Sequence, residues 1–143
     1  MADRDEIAKL INHYSFTLDS GDMEGFAELF AKGEWGIEGD MHKGKDAIMN
    51  NVLSKVILRE DGTPKTRHAS TNVDIYVDEA AGTATCKRYG IVVQQTEDVP
   101  LQTIFSGDYY DEFIKENGDW RFVKCEIKRP FVGDLSQLFT GAF

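Results

Sequence analysis

The chain has 143 residues, 41% apolar and 29% charged, with 25 acidic side chains against 16 basic ones and a formal charge of −9. That leaves room for one domain around one core, residues 1–143, and excludes a disordered chain. It also argues against nucleic acid as a partner, because the densest basic group, Lys124, Lys128 and Arg129, is interrupted by Glu126.

No apolar run exceeds a few residues, Ile91–Val93 being typical, so no membrane partner is expected. The opening MADRDEIAKL lacks the basic and apolar regions of a secretory leader, which makes the cytoplasm the expected location. Cys86 and Cys125 have no CxxC spacing, and three histidines give a zinc site poor support. Both thiols are read as reduced and half-buried in strands.

Ile7, Leu10, Ile11, Tyr14 and Leu18 recur at intervals of three and four, which predicts an amphipathic helix over 4–18. Ser20-Gly21-Asp22 stops it and starts another, with Asp22 as N-cap. The second helix buries Phe26, Leu29 and Phe30 and ends at Lys32-Gly33. Glu34–Glu38 alternates as a short strand, and Gly44-Lys45-Asp46 opens a third helix whose inner face is Ile48, Val52 and Val56.

After Asp61-Gly62 the pattern becomes β, with segments at 67–78, 83–96, 101–115 and 119–131. The last separator contains Asn117-Gly118, the strongest short hairpin signal. Helices followed by a meander make the fold class α+β: three N-terminal helices on a curved, mostly antiparallel sheet, with a concave face open as a pocket.

No local catalytic motif is present: no Gly-rich phosphate loop, no GxSxG, no HExxH. Three places nonetheless stand out. Asp19 lies near the C-terminus of the first helix, where the macrodipole disfavours an anion, five residues after Tyr14 on the apolar stripe. Asp19 is either the start of the Asp-Ser-Gly-Asp turn or a functional carboxylate. His68 shares one strand face with Ser70, Asn72, Asp74 and Tyr76, opposite Ala69, Thr71, Val73, Ile75 and Val77. That polar face is either solvent or the wall of a polar pocket. Lys128-Arg129-Pro130 ends the last strand, where a guanidinium could bind an anionic oxygen or stand in water.

The order of these features resembles the SnoaL-like branch of the nuclear transport factor 2-like superfamily over about residues 4–130. The segments that carry the likeness are HYSFTLDSGDMEGFAELFAKGEW, HKGKDAIMNNVL, TRHASTNVDIYVDEAAGTATCKRYGIVV and GDYYDEFIKENGDWRFVKCEIKR. The resemblance implies a cone with an interior pocket. The sequence is similar to the scytalone dehydratase-like enzymes of that branch, which use a His–Asp dyad and no cofactor. By position Asp19 and His68 match the dyad. Tyr14 matches the tyrosine of bile-acid 7α-dehydratase, and Arg129 falls near its late arginine, with Lys128 as a rival.

What this implies is a lyase working by β-elimination, such as a dehydratase, or an isomerase. It would act on a small, apolar, oxygenated ring compound, with His68 as general base oriented by Asp19. Two alternatives remain open. One is a polyketide cyclase or ketosteroid isomerase-type reaction, for which Asp108 or Glu112 could be the base. The other is a non-catalytic domain that binds a small molecule. A homo-oligomer, dimer or trimer, is expected, and the tail 131–143 would cover either the pocket mouth or a subunit interface.

Overall fold

The computed structural model describes residues 1–141; Ala142 and Phe143, the end of the expected tail, lie outside the described residues. Helix α1 spans Asp3–Ser20, and its stripe of Ile7, Ile11 and Tyr14 is buried. Asp3, Asp5 and Glu6 complement the positive end of its dipole. Asp3 also accepts hydrogen bonds from Trp120 Nε1 at 3.0 Å and Lys115 Nζ at 3.1 Å, which ties the helix start to a distant hairpin.

At the other end, Gly21 adopts φ 83°, a left-handed conformation that a side chain would strain. Its N–H donates to Leu18 O at 3.2 Å, and Asp22 N–H donates to Thr17 O at 2.9 Å. This Schellman-type closure ends the helix sharply and fixes its last turn, which carries Asp19. Asp22 caps the next helix, α2 (Met23–Glu28), by accepting from Gly25 N–H at 2.9 Å.

Strand β1 (Glu34–Ile37) and β2 (Asp40–Lys43) form a hairpin through Glu38 and Gly39, both at positive φ. Helix α3 covers Gly44–Asn51 and is followed by one 3-10 turn, Leu53–Lys55. The long strands are β3 (Thr66–Asp78), β4 (Thr83–Gln94), β5 (Gln102–Glu116) and β6 (Asp119–Val132).

The six strands make one sheet in the order β2-β1-β6-β5-β4-β3, with β1 parallel to β6 and every other pair antiparallel. Register shifts interrupt the β3–β4, β4–β5 and β5–β6 ladders. Each adds a residue to one side of a ladder, bending the sheet into a curl that does not close. The helices pack in the hollow over Phe26, Phe30, Ile48, Phe113 and Phe122, all essentially inaccessible to water. Burying each such side chain stabilises by about 1.5–3 kcal/mol.

The α+β architecture is the one expected, and three details differ from the sequence reading. Strand β2 is added; its four residues, Asp-Met-His-Lys, carry no apolar alternation to mark it. The third helix stops at Asn51, so Val56 is extended and bridges Phe139 instead of continuing a helical face. Both cysteines are fully buried, not half-buried.

Candidate functional site

Asp19 is placed by the capped end of α1 directly above the first residues of β3. Its Oδ1 accepts from Thr66 Oγ1 at 2.8 Å, and its Oδ2 accepts from the backbone N–H of His68 at 2.7 Å. The imidazole Nδ1 of His68 lies 2.6 Å from Oδ1. These contacts offset the unfavourable placement of an anion at a helix C-terminus. A carboxylate can only accept here, so Nδ1 carries a proton, and in the neutral imidazole the lone pair is on Nε2. Both side chains are mostly enclosed, 16% exposed for His68 and 14% for Asp19.

The strand bearing His68 is not a simple alternation. Asn72 has φ 52°, and the β3–β4 register slips between Thr71 and Asp74. Before this bulge the even residues face inward: His68 opposite Val92, and Ser70 opposite Gly90. After it the odd residues do, with Ile75 opposite Cys86 and Val77 opposite Ala84. The polar and apolar halves of β3 therefore line one interior, and His68 is a cavity residue.

That cavity has a volume of about 70 Å³ to the centre of a water-sized sphere. Tyr14 and Leu18 of α1, Trp35 and Ile37 of β1, and Phe105, Tyr109 and Ile127 of the central strands form its floor and sides. Leu135, Leu138 and Phe139 of the tail also line it. The tail is held by Ile57 N–H to Leu138 O at 2.7 Å, Thr140 N–H to Lys55 O at 2.8 Å, and Arg59 to both oxygens of Gln137. No carboxylate, lysine or arginine is among the lining residues.

Tyr14 is one of the polar side chains that line the cavity. Its hydroxyl oxygen accepts from Trp35 Nε1 at 2.8 Å, and its ring makes an edge contact with His68 at 6.5 Å between centroids. Burial pushes the phenol well above its ordinary pKa. Tyr109 and Cys125 add to the rise, while Arg88 and the Trp35 hydrogen bond oppose it. Tyr14 is thus a neutral hydrogen-bond donor. Tyr109 lies across Gly90, where a Cβ would come within 2.3 Å of its ring, so only glycine admits this packing.

Beneath these tyrosines is a pair the sequence reading did not single out. Arg88, 1% exposed, donates from Nε and Nη2 to Asp111 at 2.7 and 3.2 Å and from Nη1 to Ser70 Oγ at 2.8 Å. A signal was present: Arg88 shares a β4 face with Ala84, Cys86 and Val92, and Asp111 stands between Tyr109 and Phe113 on the matching face of β5.

Arg129 is elsewhere. It sits at φ 48° beside a register shift, which turns its side chain to the outer face of the sheet. There it is 66% exposed and donates to Asp108 at 2.7 and 3.3 Å. Lys128 also faces outward, 5.1 Å from the centre of the Tyr110 ring. Neither is among the residues that line the cavity, and neither are Asp108 and Glu112.

A helix-wrapped, curled sheet with an enclosed hollow is the cone-shaped architecture of the cystatin-like proteins. The chain belongs to the SnoaL-like domain family, whose model matches residues 1–126. Rv3472 of Mycobacterium tuberculosis, a protein of unknown function, superposes with a TM-score of 0.72 at 25% identity, over 88% of this chain and 70% of that one. An NTF2-like protein with a cystatin-like fold from Novosphingobium aromaticivorans gives 0.71 at 26%, over 88% and 80%. A provisionally named scytalone dehydratase from the same organism gives 0.68 at 20%, over 92% and 87%, a likeness of fold alone. Curated protein sequences gave no match.

Proposed function

We propose that this protein is a cofactor-independent proton-abstracting enzyme, a lyase of the β-elimination type or an isomerase, acting on a small, uncharged, oxygenated ring compound. The observation that carries the reading is the 2.6 Å contact between His68 Nδ1 and Asp19, made at the wall of an apolar cavity. With Nδ1 committed to the carboxylate, Nε2 is the base. It takes a proton from a carbon next to a carbonyl, and the electron pair moves onto the carbonyl oxygen. Tyr14 donates a hydrogen bond to that oxygen, and Asp19 stabilises the imidazolium formed. The enolate then collapses by expelling a β-substituent or by taking the proton back at another carbon.

The cavity supports an uncharged substrate, because no ionic side chain among its lining residues would pair with a charged one. It gives no support to a carboxylate base of the cyclase type. Self-association belongs to the same reading: Tyr76, Tyr89 and Tyr110 are exposed on the outside of the sheet, a surface suited to a second copy.

The test is deuterium exchange at the α-carbon of 2-tetralone, followed by NMR in D₂O. Wild-type protein should accelerate exchange, and His68→Ala should lose about 10²–10⁴ of that acceleration. Binding of the ketone with no exchange above buffer would make this a binding domain instead.

A further inference from the structure

Arg88 is a full charge in the core that the mechanism above leaves unused. Its guanidinium carbon stands 4.8 Å from the centre of the Tyr14 ring and 4.6 Å from that of Tyr109, over both of two rings that meet edge to face at 6.0 Å. Both rings line the cavity, whereas Arg88 does not. Three hydrogen bonds and two ring contacts would be a costly way merely to join β4 to β5, since an apolar pair of similar volume is often as stable.

Resting on the proton-abstraction reading, we propose that Arg88, held by Asp111 and Ser70, is a positioning residue that supports negative charge on an oxygen bound at Tyr14. A guanidinium over the π-face draws electron density from the phenol ring and makes its O–H a stronger donor. The low-dielectric surroundings magnify the effect. Asp111 keeps the cation in plane and charged: burial opposes the charged form, and the Asp111 charge and hydrogen bonds more than reverse this, raising Arg88 above its ordinary value. Arg88 also acts to lower both tyrosines against the rise that burial imposes. The site is therefore built for an oxyanion, an enolate or a phenolate, that is uncharged when it enters.

The experiment uses two probes of similar size. 4-Nitrophenol reports its ionisation by visible absorbance, and nitrobenzene cannot ionise. Wild-type protein should bind 4-nitrophenol as the phenolate below the pH at which it ionises in water. Arg88→Met combined with Asp111→Leu removes both charges together, so no lone ion is left in the core. It should weaken phenolate binding tenfold or more while leaving nitrobenzene within about twofold. Arg88→Lys should recover much of the difference.

Equal loss of both probes, no loss of either, or phenol bound only in its neutral form would each overturn the role of Arg88. If wild-type protein binds neither probe yet exchanges 2-tetralone, the oxyanion support falls and the enzyme reading stands. If it neither binds the probes nor exchanges the ketone, both fall.

Discussion

One carboxylate holds His68 twice: Asp19 accepts from its backbone N–H at 2.7 Å and contacts its ring Nδ1 at 2.6 Å. Main chain and side chain are thereby fixed by the same group, and the ring cannot turn without losing that contact. In Asp19→Asn an amide NH₂ must point at one of three donors. The expected result is a stability loss of about 1–3 kcal/mol in urea unfolding. The ¹⁵N shifts of His68 should also change from a fixed Nδ1–H tautomer to a mixture. An unchanged tautomer in the variant would show that the ring is oriented by something else.

Trp35 supplies the hydrogen bond that orients the Tyr14 hydroxyl. Trp35→Phe keeps the apolar wall and removes the N–H. It should cost about 1 kcal/mol in stability and slow 2-tetralone exchange several-fold without abolishing it. Tyr14→Phe should slow exchange more, because it removes the donor itself. Equal rates in Tyr14→Phe and wild type would exclude Tyr14 from the chemistry.

Burial pushes the Cys86 thiol up to about 12, and Cys125 is also raised by burial and by the nearby Asp111 charge. Thiolate is the reactive form, so both should be inert to a disulfide reagent at pH 8 in the folded protein. Two thiols per chain should react once guanidinium unfolds it. A fast-reacting thiol under native conditions would contradict the buried positions of both.

Several carboxyl groups lie below their ordinary values in the folded chain. Asp3 is lowered by its Trp120 and Lys115 hydrogen bonds, Asp108 by Arg129, and Glu116 by Arg121. Asp61 is held at about 2 by Lys65 and Thr63. As pH falls, the unfolded chain takes up these protons first. The stability they contribute is present above the ordinary carboxyl range of roughly 4 and is lost as pH drops through the folded values. Urea midpoints should therefore fall between pH 5 and pH 2, and less steeply in Asp3→Asn. A midpoint that stays flat or rises on acidification would contradict these pairings.

The tail contributes Leu135, Leu138 and Phe139 to the cavity wall. Ending the chain after Gly133 should open the cavity, weaken binding of nitrobenzene tenfold or more, and lower the melting temperature. Retained affinity in the truncated chain would place the ligand somewhere other than beneath the tail.

The parts of this protein that local chemistry dictates were legible in its sequence. The α1 stripe, the Gly21 stop, the Asp22 cap and the Asn117-Gly118 turn all express short-range rules, and the described elements follow them. Asp19 and His68 each stood out by position, but only family resemblance paired them, since nothing in the forty-eight intervening positions says they meet. Arg129 was misplaced because a single positive φ decides which side of the sheet it faces, and composition does not encode that angle. Arg88 and Asp111 went unnoticed because a charge in a strand reads as surface until its cross-strand neighbour is known. β2 was missed because its pairing with β1, not its own residues, makes it a strand.

The bulge at Asn72 has the character of a parity bit. A strand counts residues in twos, and one extra residue lets the chain turn the polar His68 and Ser70 and the apolar Ile75 and Val77 to the same interior. A chain one residue shorter here would have to choose, exposing either the imidazole or the two aliphatic side chains to solvent. Substitutions in β3 are therefore easier for this fold to absorb than a single deletion. A lineage that altered the cavity's chemistry could exchange residues on either side of Asn72 while keeping the count between them.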